Sequence, residues 1–143
     1  MTGAKQRILV GVDGSEESLE AVRWAVDYAR KVDGSLVAIK TWHYPWAMQT
    51  APAQIDTEMK DQTRDELNQA IVKSGADTAG VDLTISVEEG HASQVLVRES
   101  AGADLLVLGS RGHTPFTGML VGSVSLHCVH ASQCPVVVVR KRA

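Results

Sequence analysis

The chain has 143 residues, of which 44% are apolar, and a formal net charge of −3. This length predicts a single domain over residues 1–143, and the apolar content excludes an intrinsically disordered chain. The only basic cluster, Arg140-Lys141-Arg142, is too short for a nucleic-acid interface, and no apolar run is long enough to span a membrane.

The N-terminus and the cysteines predict the compartment. Residues Met1 to Arg7 are polar and lead directly into a strand-like run, without the apolar core of a signal peptide. The two cysteines, Cys128 and Cys134, do not form a disulfide framework. We therefore expect a cytoplasmic protein with neither a membrane nor a nucleic-acid partner.

Short apolar runs alternate with segments of helical periodicity along the whole chain. The run from Val81 to Val87 alternates strictly, which predicts a half-exposed strand at a sheet edge. In chain order, the predicted elements are a strand within 7–13, a helix capped by Ser15 and ended by Gly34, a strand over Ser35–Trp42, a loop over His43–Pro52, a helix over about Ile55–Ser74, a strand over Val81–Val87, a helix over Ser93–Ala101, a strand over Leu105–Leu108, a helix over about Ser123–Ala131 and a strand over 135–139 that begins with Pro135.

This alternation predicts an α/β fold, a single doubly wound parallel sheet of five strands with helices on both faces. Such sheets commonly have the strand order 3-2-1-4-5 or 2-1-3-4-5, and they bind ligands at the carboxyl ends of the strands where the winding reverses. In the first order, strands 1 and 4 are neighbours, and Asp13 and Gly109 would meet in one crevice.

The segment after the fourth strand has the pattern of an anion site. Gly109 ends an apolar run, Gly112 follows, and Gly122-Ser123 stands at the start of the next helix. Glycines allow backbone N–H groups to approach an oxyanion, and a helix N-terminus adds unpaired donors and a positive dipole end. Because the sequence lacks a Gly-Lys-[Ser/Thr] segment, the loop is not a P-loop.

With these residues the sequence resembles the universal stress protein family over essentially its whole length. The resemblance depends on Ile8-Leu9-Val10-Gly11-Val12-Asp13-Gly14-Ser15, on the spacing Gly109-x2-Gly112-x9-Gly122-Ser123 and on Cys134-Pro135-Val136-Val137-Val138-Val139. The glycine spacing is the signature of the ATP-binding branch of that family. The resemblance implies a Rossmann-like sheet of order 3-2-1-4-5, like that of the adenine nucleotide alpha hydrolases.

The resemblance also implies a role for individual residues. Gly109, Gly112, Gly122 and Ser123 would cradle the phosphates and ribose of ATP, and Val124 and Ser125 would add backbone and hydroxyl donors. Asp13 would lie near the nucleotide and any Mg²⁺, and the backbone of Thr41 would contact adenine. The strand Val136–Val139 would pair with its twin in a homodimer, which would also protect an exposed apolar edge.

Several residues allow two interpretations. Arg111 and His113 either contact the phosphates or face solvent, and Asp13 either serves the site or caps the following helix. Trp42, Tyr44 and Trp46 could stack on a base, but packing on the core is favoured. A zinc site at His127, Cys128, His130 and Cys134 is disfavoured, because adjacent helical residues point to different sides.

The function predicted is that of an ATP-binding universal stress protein, a regulatory protein of the stress response whose protein partner is not identified. No catalytic residue is predicted, since no histidine is placed to activate Ser123. The alternatives are a slow ATPase or adenylating enzyme at the same site, and a nucleotide-free dimerisation module.

Overall fold

The computed structural model describes residues 5–43, 53–111 and 121–141. Strands and helices alternate throughout these ranges. They are β1 (Arg7–Gly11), α1 (Glu16–Val32), β2 (Ser35–Trp42), α2 (Ala53–Ser74), β3 (Asp82–Glu89), α3 (Ala92–Ser100), β4 (Leu105–Gly109), α4 (Ser123–Ala131) and β5 (Val136–Val139).

The strands form one parallel sheet in the order β3-β2-β1-β4-β5. The predicted fold class and strand order are therefore confirmed. The winding reverses between β1 and β4, which pair directly with Val10 opposite Val107. The carboxyl ends of these two strands consequently stand side by side.

Helices cover both faces of the sheet, because the central strands β1 and β4 present apolar side chains in both directions. On one face, α1 and α2 contribute Val22, Val26 and Leu67 to a buried cluster. On the other face, α3 and α4 contribute Leu96 and Cys128 to a second cluster. Within the described ranges, no helix is long and apolar enough to cross a bilayer.

The predicted end of the first helix needs a correction. The left-handed residue after α1 is Asp33, with φ of 52°, and not Gly34. Gly34 is instead required by packing, because a Cβ at this position would lie 2.9 Å from the carbonyl oxygen of Gln6. Two chain segments therefore meet at Gly34, and the turn itself is made by an aspartate.

Other boundaries shift by small amounts. β1 ends at Gly11, although the N–H of Val12 still donates to the carbonyl of Ile39 at 2.9 Å. β3 continues to Glu89, which is opposite Trp42 in the register, because β2 offers a partner along its full length. β3 and β5 occupy the two sheet edges, as predicted for the alternating strand and the valine strand.

Candidate functional site

A cavity of about 320 Å³ opens at the carboxyl edge of the sheet, where β1 and β4 are neighbours. It brings together all the described residues that the sequence predicts for the site; Gly112 and His113 lie outside the described residues. The predicted residues that line it are Asp13, Thr41, Gly109, Arg111, Gly122, Ser123, Val124 and Ser125.

The cavity also has a lining that the sequence did not single out. Its apolar part consists of Gly11, Ile39, Leu96 and Leu108 together with Val12 and Ala92, and Ser18 and Lys40 also line it. A Cβ on Gly11 would lie 2.7 Å from Leu108 and 3.1 Å from Leu96, so glycine leaves room for these two leucines. The strand order was the signal that could have indicated these residues, since it places the ends of β1, β2 and β4 at one edge.

Gly109 is required for packing against α1. A Cβ at this position would lie 2.6 Å from the carbonyl carbon of Glu17 and 2.8 Å from the nitrogen of Ser18. Both are backbone atoms of the first turn of α1, so neither can move aside without moving the helix. The first glycine of the spacing therefore allows α1 to lie directly against the end of β4.

The N-terminus of α4 is open towards the cavity. Its N-cap is Gly122, with φ of −72°, and among the described residues no side chain caps the helix. Its first turn contains no acidic residue. Ser123, Val124 and Ser125 of that turn line the cavity, and the first N–H groups of a helix have no partner within it. This end of α4 therefore presents donors and a positive dipole end to the cavity.

The hydroxyl of Ser125 serves the fold. It donates to the carbonyl oxygen of Gly109 at 2.5 Å, and Ser125 is only 5% exposed. A hydroxyl has a single proton to donate, so the Ser125 hydroxyl joins α4 to β4. What Ser125 offers the cavity as a donor is its backbone N–H.

The N-terminus of α1, in contrast, is closed. Ser15 is its N-cap and accepts a hydrogen bond from the N–H of Ser18. Glu16 and Glu17 occupy the first turn, where carboxylates complement the positive dipole end, and Glu16 also pairs with Lys141. A backbone N–H group at the start of α1 is therefore already bonded to a side chain of the same helix end. This terminus is less suited to binding an anion than that of α4.

Asp13 follows β1 and lines the cavity, but it is not the helix cap. Its Oδ1 accepts hydrogen bonds from the backbone N–H of Ser15 at 2.9 Å and from the Ser15 hydroxyl at 2.5 Å. The carboxylate is thereby held beside the cavity while Ser15 caps the helix. Asp13 thus supports the capped turn and is also placed as a residue of the site.

Two cationic residues belong to the lining. Lys40 has a side chain only 15% exposed, and its Nζ lies 3.7 Å from Oε2 of Glu66 on α2. Arg111 is half-buried at the start of the glycine loop, and its carbonyl lies 3.4 Å from the hydroxyl of Ser15. Lys40 is therefore tied towards α2, whereas Arg111 belongs to the loop that follows β4.

The other candidate side chains lie within the core or on the surface. Trp42 is 7% exposed and belongs to the core under α1 and α2, which confirms the packing interpretation for this residue; Tyr44 and Trp46 lie outside the described residues. Cys128 is fully buried, whereas its neighbour His127 is exposed, as expected for adjacent helical residues.

The two cysteine thiols are protonated at neutral pH, and burial raises their pKa values. Burial raises the pKa of the Cys128 thiol to about 11, and burial also raises the pKa of Cys134. In the part of the chain that the structure describes, no group of three or more His, Cys, Asp or Glu side chains is arranged to hold a metal ion.

A family model described as the universal stress protein family matches residues 5–140. The chain belongs to the universal stress protein family. Universal stress protein Rv2005c of Mycobacterium tuberculosis is 33% identical over 136 residues, which are 94% of this chain and 45% of that protein. Universal stress protein MJ0531 of Methanocaldococcus jannaschii is 31% identical over 142 residues, which are 95% of this chain and 82% of that protein.

This universal stress protein spans about half the length of the mycobacterial relatives that it matches. Among solved structures, universal stress protein UspA from Lactobacillus plantarum superposes with a TM-score of 0.75 at 24% identity, covering 97% of this chain and 100% of that one. A universal stress protein in complex with cAMP superposes with a TM-score of 0.63 at 29% identity, covering 96% and 98%. The fold is thus that of the family.

Proposed function

We propose that this universal stress protein holds ATP in the cavity between β1 and β4 and acts as a regulatory protein of the stress response. The observation that carries the proposal is the open N-terminus of α4, which faces a cavity that is otherwise mostly apolar. A relative of this chain at 29% identity is described as a complex with cAMP, which supports an adenine nucleotide as the ligand.

The phosphates belong at α4. Within the described ranges, no side-chain cap competes with a ligand for the backbone N–H groups of Ser123, Val124 and Ser125, and the helix dipole favours negative charge there. The first turn of α1 already holds the Glu16 and Glu17 carboxylates, so it is a less favourable place for phosphate than the first turn of α4. A nucleotide therefore binds with its anionic end against α4.

The nucleoside belongs on the apolar part of the cavity. Ile39, Leu96 and Leu108 offer a surface for a sugar and a flat base, and such surfaces with a few polar groups are typical of small-ligand sites. Thr41 lies at the far end of β2 and lines the same cavity. Its backbone is the group that contacts the adenine edge.

Asp13 fits a role in holding Mg²⁺ together with the phosphates. Magnesium prefers carboxylate, water and phosphate oxygens, and Asp13 is the acidic residue of the described lining. When bound, Mg²⁺ neutralises part of the charge of the phosphate chain. The protein supplies a single carboxylate that is kept in place by Ser15.

The site is suited to holding ATP more than to splitting it. The charged side chains among the described lining residues are Asp13, Lys40 and Arg111, and Lys40 lies beside Glu66. The sequence has no P-loop lysine, the residue that reaches the β- and γ-phosphates in P-loop enzymes.

The proposal includes a homodimer formed through β5. This strand lies at the sheet edge, and Val136, Val137, Val138 and Val139 are all half-buried in the single chain. Apolar edge strands are normally paired or covered. Pairing of two β5 strands satisfies both edges at once.

The ligand can be identified directly. Protein purified without added nucleotide is denatured in acid, and the released small molecules are identified by mass spectrometry; stripped protein is then dialysed against labelled ATP with Mg²⁺. We expect an adenine nucleotide in the extract and saturable retention of ATP. Absence of retention at millimolar ATP would overturn the proposal.

A further inference from the structure

Ser15 is the N-cap of α1 and contacts two residues that line the cavity, Asp13 and Arg111. It is 7% exposed and is not one of the lining residues. Its hydroxyl lies 2.5 Å from Oδ1 of Asp13 and 3.4 Å from the carbonyl oxygen of Arg111. A single buried hydroxyl therefore touches both the carboxylate after β1 and the loop after β4.

The hydrogen bonds of this hydroxyl form a definite arrangement. As an acceptor, the oxygen takes the N–H of Ser18 at 3.3 Å and so caps α1. As a donor, it has one proton for two acceptors, and the carboxylate at 2.5 Å receives it because a charged acceptor at short distance forms the stronger bond. The backbone N–H of Ser15 donates to the same Oδ1 at 2.9 Å, so two donors of one residue fix this oxygen.

The hydrogen bonds between Asp13 and Ser15 are local in sequence. It follows the end of β1, and both of its contacts to Ser15 reach over only two residues. Removal of the hydroxyl removes the shorter of the two contacts and leaves the backbone N–H. The carboxylate then keeps the backbone N–H of Ser15 as a partner but loses the shorter of its two hydrogen bonds to this residue.

We propose that Ser15 is a positioning residue of the nucleotide site, whose hydroxyl orients Asp13 towards the Mg²⁺–nucleotide complex, a role distinct from its capping of α1. This inference rests on the proposed function. It predicts that the hydroxyl of residue 15 changes nucleotide affinity through Asp13, whereas the capping of α1 changes only the stability of the fold.

Three substitutions separate these two roles. Ser15→Thr keeps both the hydroxyl and the cap, and Ser15→Ala removes both. Ser15→Gly removes the hydroxyl but is tolerated at an N-cap almost as well as serine. The glycine and alanine variants therefore differ in capping but are matched in the absence of the hydroxyl.

The experiment is a calorimetric titration of each stripped variant with ATP in the presence of Mg²⁺, alongside thermal unfolding without nucleotide. We expect Ser15→Gly and Ser15→Ala to raise the Kd for ATP by the same factor, about tenfold, as for loss of a hydrogen bond to a charged group. Ser15→Thr restores the affinity of the unmodified protein. Only Ser15→Ala lowers the melting temperature appreciably.

A double-substitution cycle tests whether Ser15 acts through Asp13. In an Asp13→Asn background, Ser15→Gly should leave the Kd unchanged, because the carboxylate that it orients is gone; additive losses would overturn the inference. Binding by Ser15→Gly equal to that of the unmodified protein would overturn it as well, while the proposed function stands. Failure of the unmodified protein to bind ATP would instead refute the proposed function.

Discussion

At the scale of single residues, the glycine spacing serves more than one purpose. Gly109 allows the first turn of α1 to lie against β4, because a Cβ there would meet backbone atoms of Glu17 and Ser18. Gly122 has ordinary helical-cap geometry, and its N–H donates to the carbonyl of Ser110 at 2.5 Å. The glycine spacing associated with phosphate binding thus also includes a glycine, Gly109, that the packing of α1 on β4 requires.

Gly109→Ala should therefore destabilise the protein even without nucleotide. Overpacking against an immobile backbone costs about 2 kcal/mol, which urea unfolding of the stripped protein measures as a lower free energy of unfolding. Gly102→Ala is the matched control, since its Cβ would make only an ordinary contact, 3.6 Å from Arg7. Equal stabilities of the two variants would contradict the packing role of Gly109.

We expect the free energy of unfolding to decrease at alkaline pH because of the buried thiol of Cys128. Its pKa is raised by burial from 9.0 to about 11, so between these values the unfolded chain loses the thiol proton while the folded chain keeps it. Stability contributed by the protonated thiol is complete below pH 9 and decreases as the pH rises towards 11, by about 3 kcal/mol at most.

The comparison that isolates this effect is unfolding by urea at pH 8 and pH 10.5 for the unmodified protein and for Cys128→Ala. The variant is less stable at both values because a buried side chain is truncated, but its loss of stability with pH should be smaller. Parallel pH profiles for the two proteins would show that Cys128 does not titrate with a raised pKa.

At the scale of elements, two helix N-termini stand at the same edge of the sheet and differ in chemistry. Helix α1 is capped by Ser15 and begins with Glu16 and Glu17, whereas α4 has no acidic residue in its first turn and no side-chain cap from the described residues. The first N–H groups of α4 have no partner within the helix itself. This difference assigns the phosphates to α4 in our proposal.

Ser123→Glu should change stability and affinity in opposite directions. A carboxylate in the first turn of α4 stabilises the helix by about 0.5 kcal/mol through the dipole, and Ser123 is exposed, so the longer side chain fits. The same charge repels phosphate and should weaken ATP binding about fivefold.

Thermal unfolding of stripped protein and titration with ATP measure the two effects of Ser123→Glu separately. Ser123→Gln is the control, because it has nearly the same shape without the charge. An affinity of the glutamate variant equal to that of the glutamine variant would place the phosphates away from α4.

The elements were largely predictable from the sequence, because periodic burial is a local property. The run Ile8 to Val10 and the valines of β5 indicated strands, and β2 and α4 have the predicted limits. The hydrophobic pattern of the sequence could not predict that Ser18 and Lys40 line the cavity. Their positions depend on how α1 and β2 project after the sheet is assembled, which is set by contacts between distant parts of the chain.

The same limit applies to the glycines. A strand followed by Gly109 indicated a loop, but the reason for this glycine is the path of α1, which lies far away in sequence. Gly34 is similar, since its neighbour is the carbonyl of Gln6. The sequence can indicate that a glycine is needed at a position. It does not show which atoms a Cβ at that position would clash with.

At the scale of the whole molecule, the outer edge of β5, the last strand of the described sheet, connects the fold to the proposed dimer. The carbonyls of Pro135 and Val139 accept hydrogen bonds from Leu106 and Ser110 of the neighbouring strand and its extension. Because residues of a parallel ladder alternate in direction, the N–H of Val138 points away from β4. It is a donor available to a second β5 strand.

Val138→Pro should therefore convert a dimer into a monomer while β4 and β5 remain paired. Proline removes the outward N–H and is tolerated on edge strands. Light scattering coupled to size exclusion measures the mass, and Val138→Thr, which keeps the N–H, is the control that should stay dimeric. A dimer of Val138→Pro, or a monomer of the unmodified protein, would contradict pairing through β5.

The central claim is that the cavity beside α4 holds ATP, and the most direct measurement is a calorimetric titration of stripped protein with ATP and Mg²⁺. We predict a saturable heat of binding with one ATP per chain, weakened by Ser123→Glu and not by Ser123→Gln. No heat of binding at millimolar ATP, or binding that is indifferent to the charge at residue 123, would contradict the account.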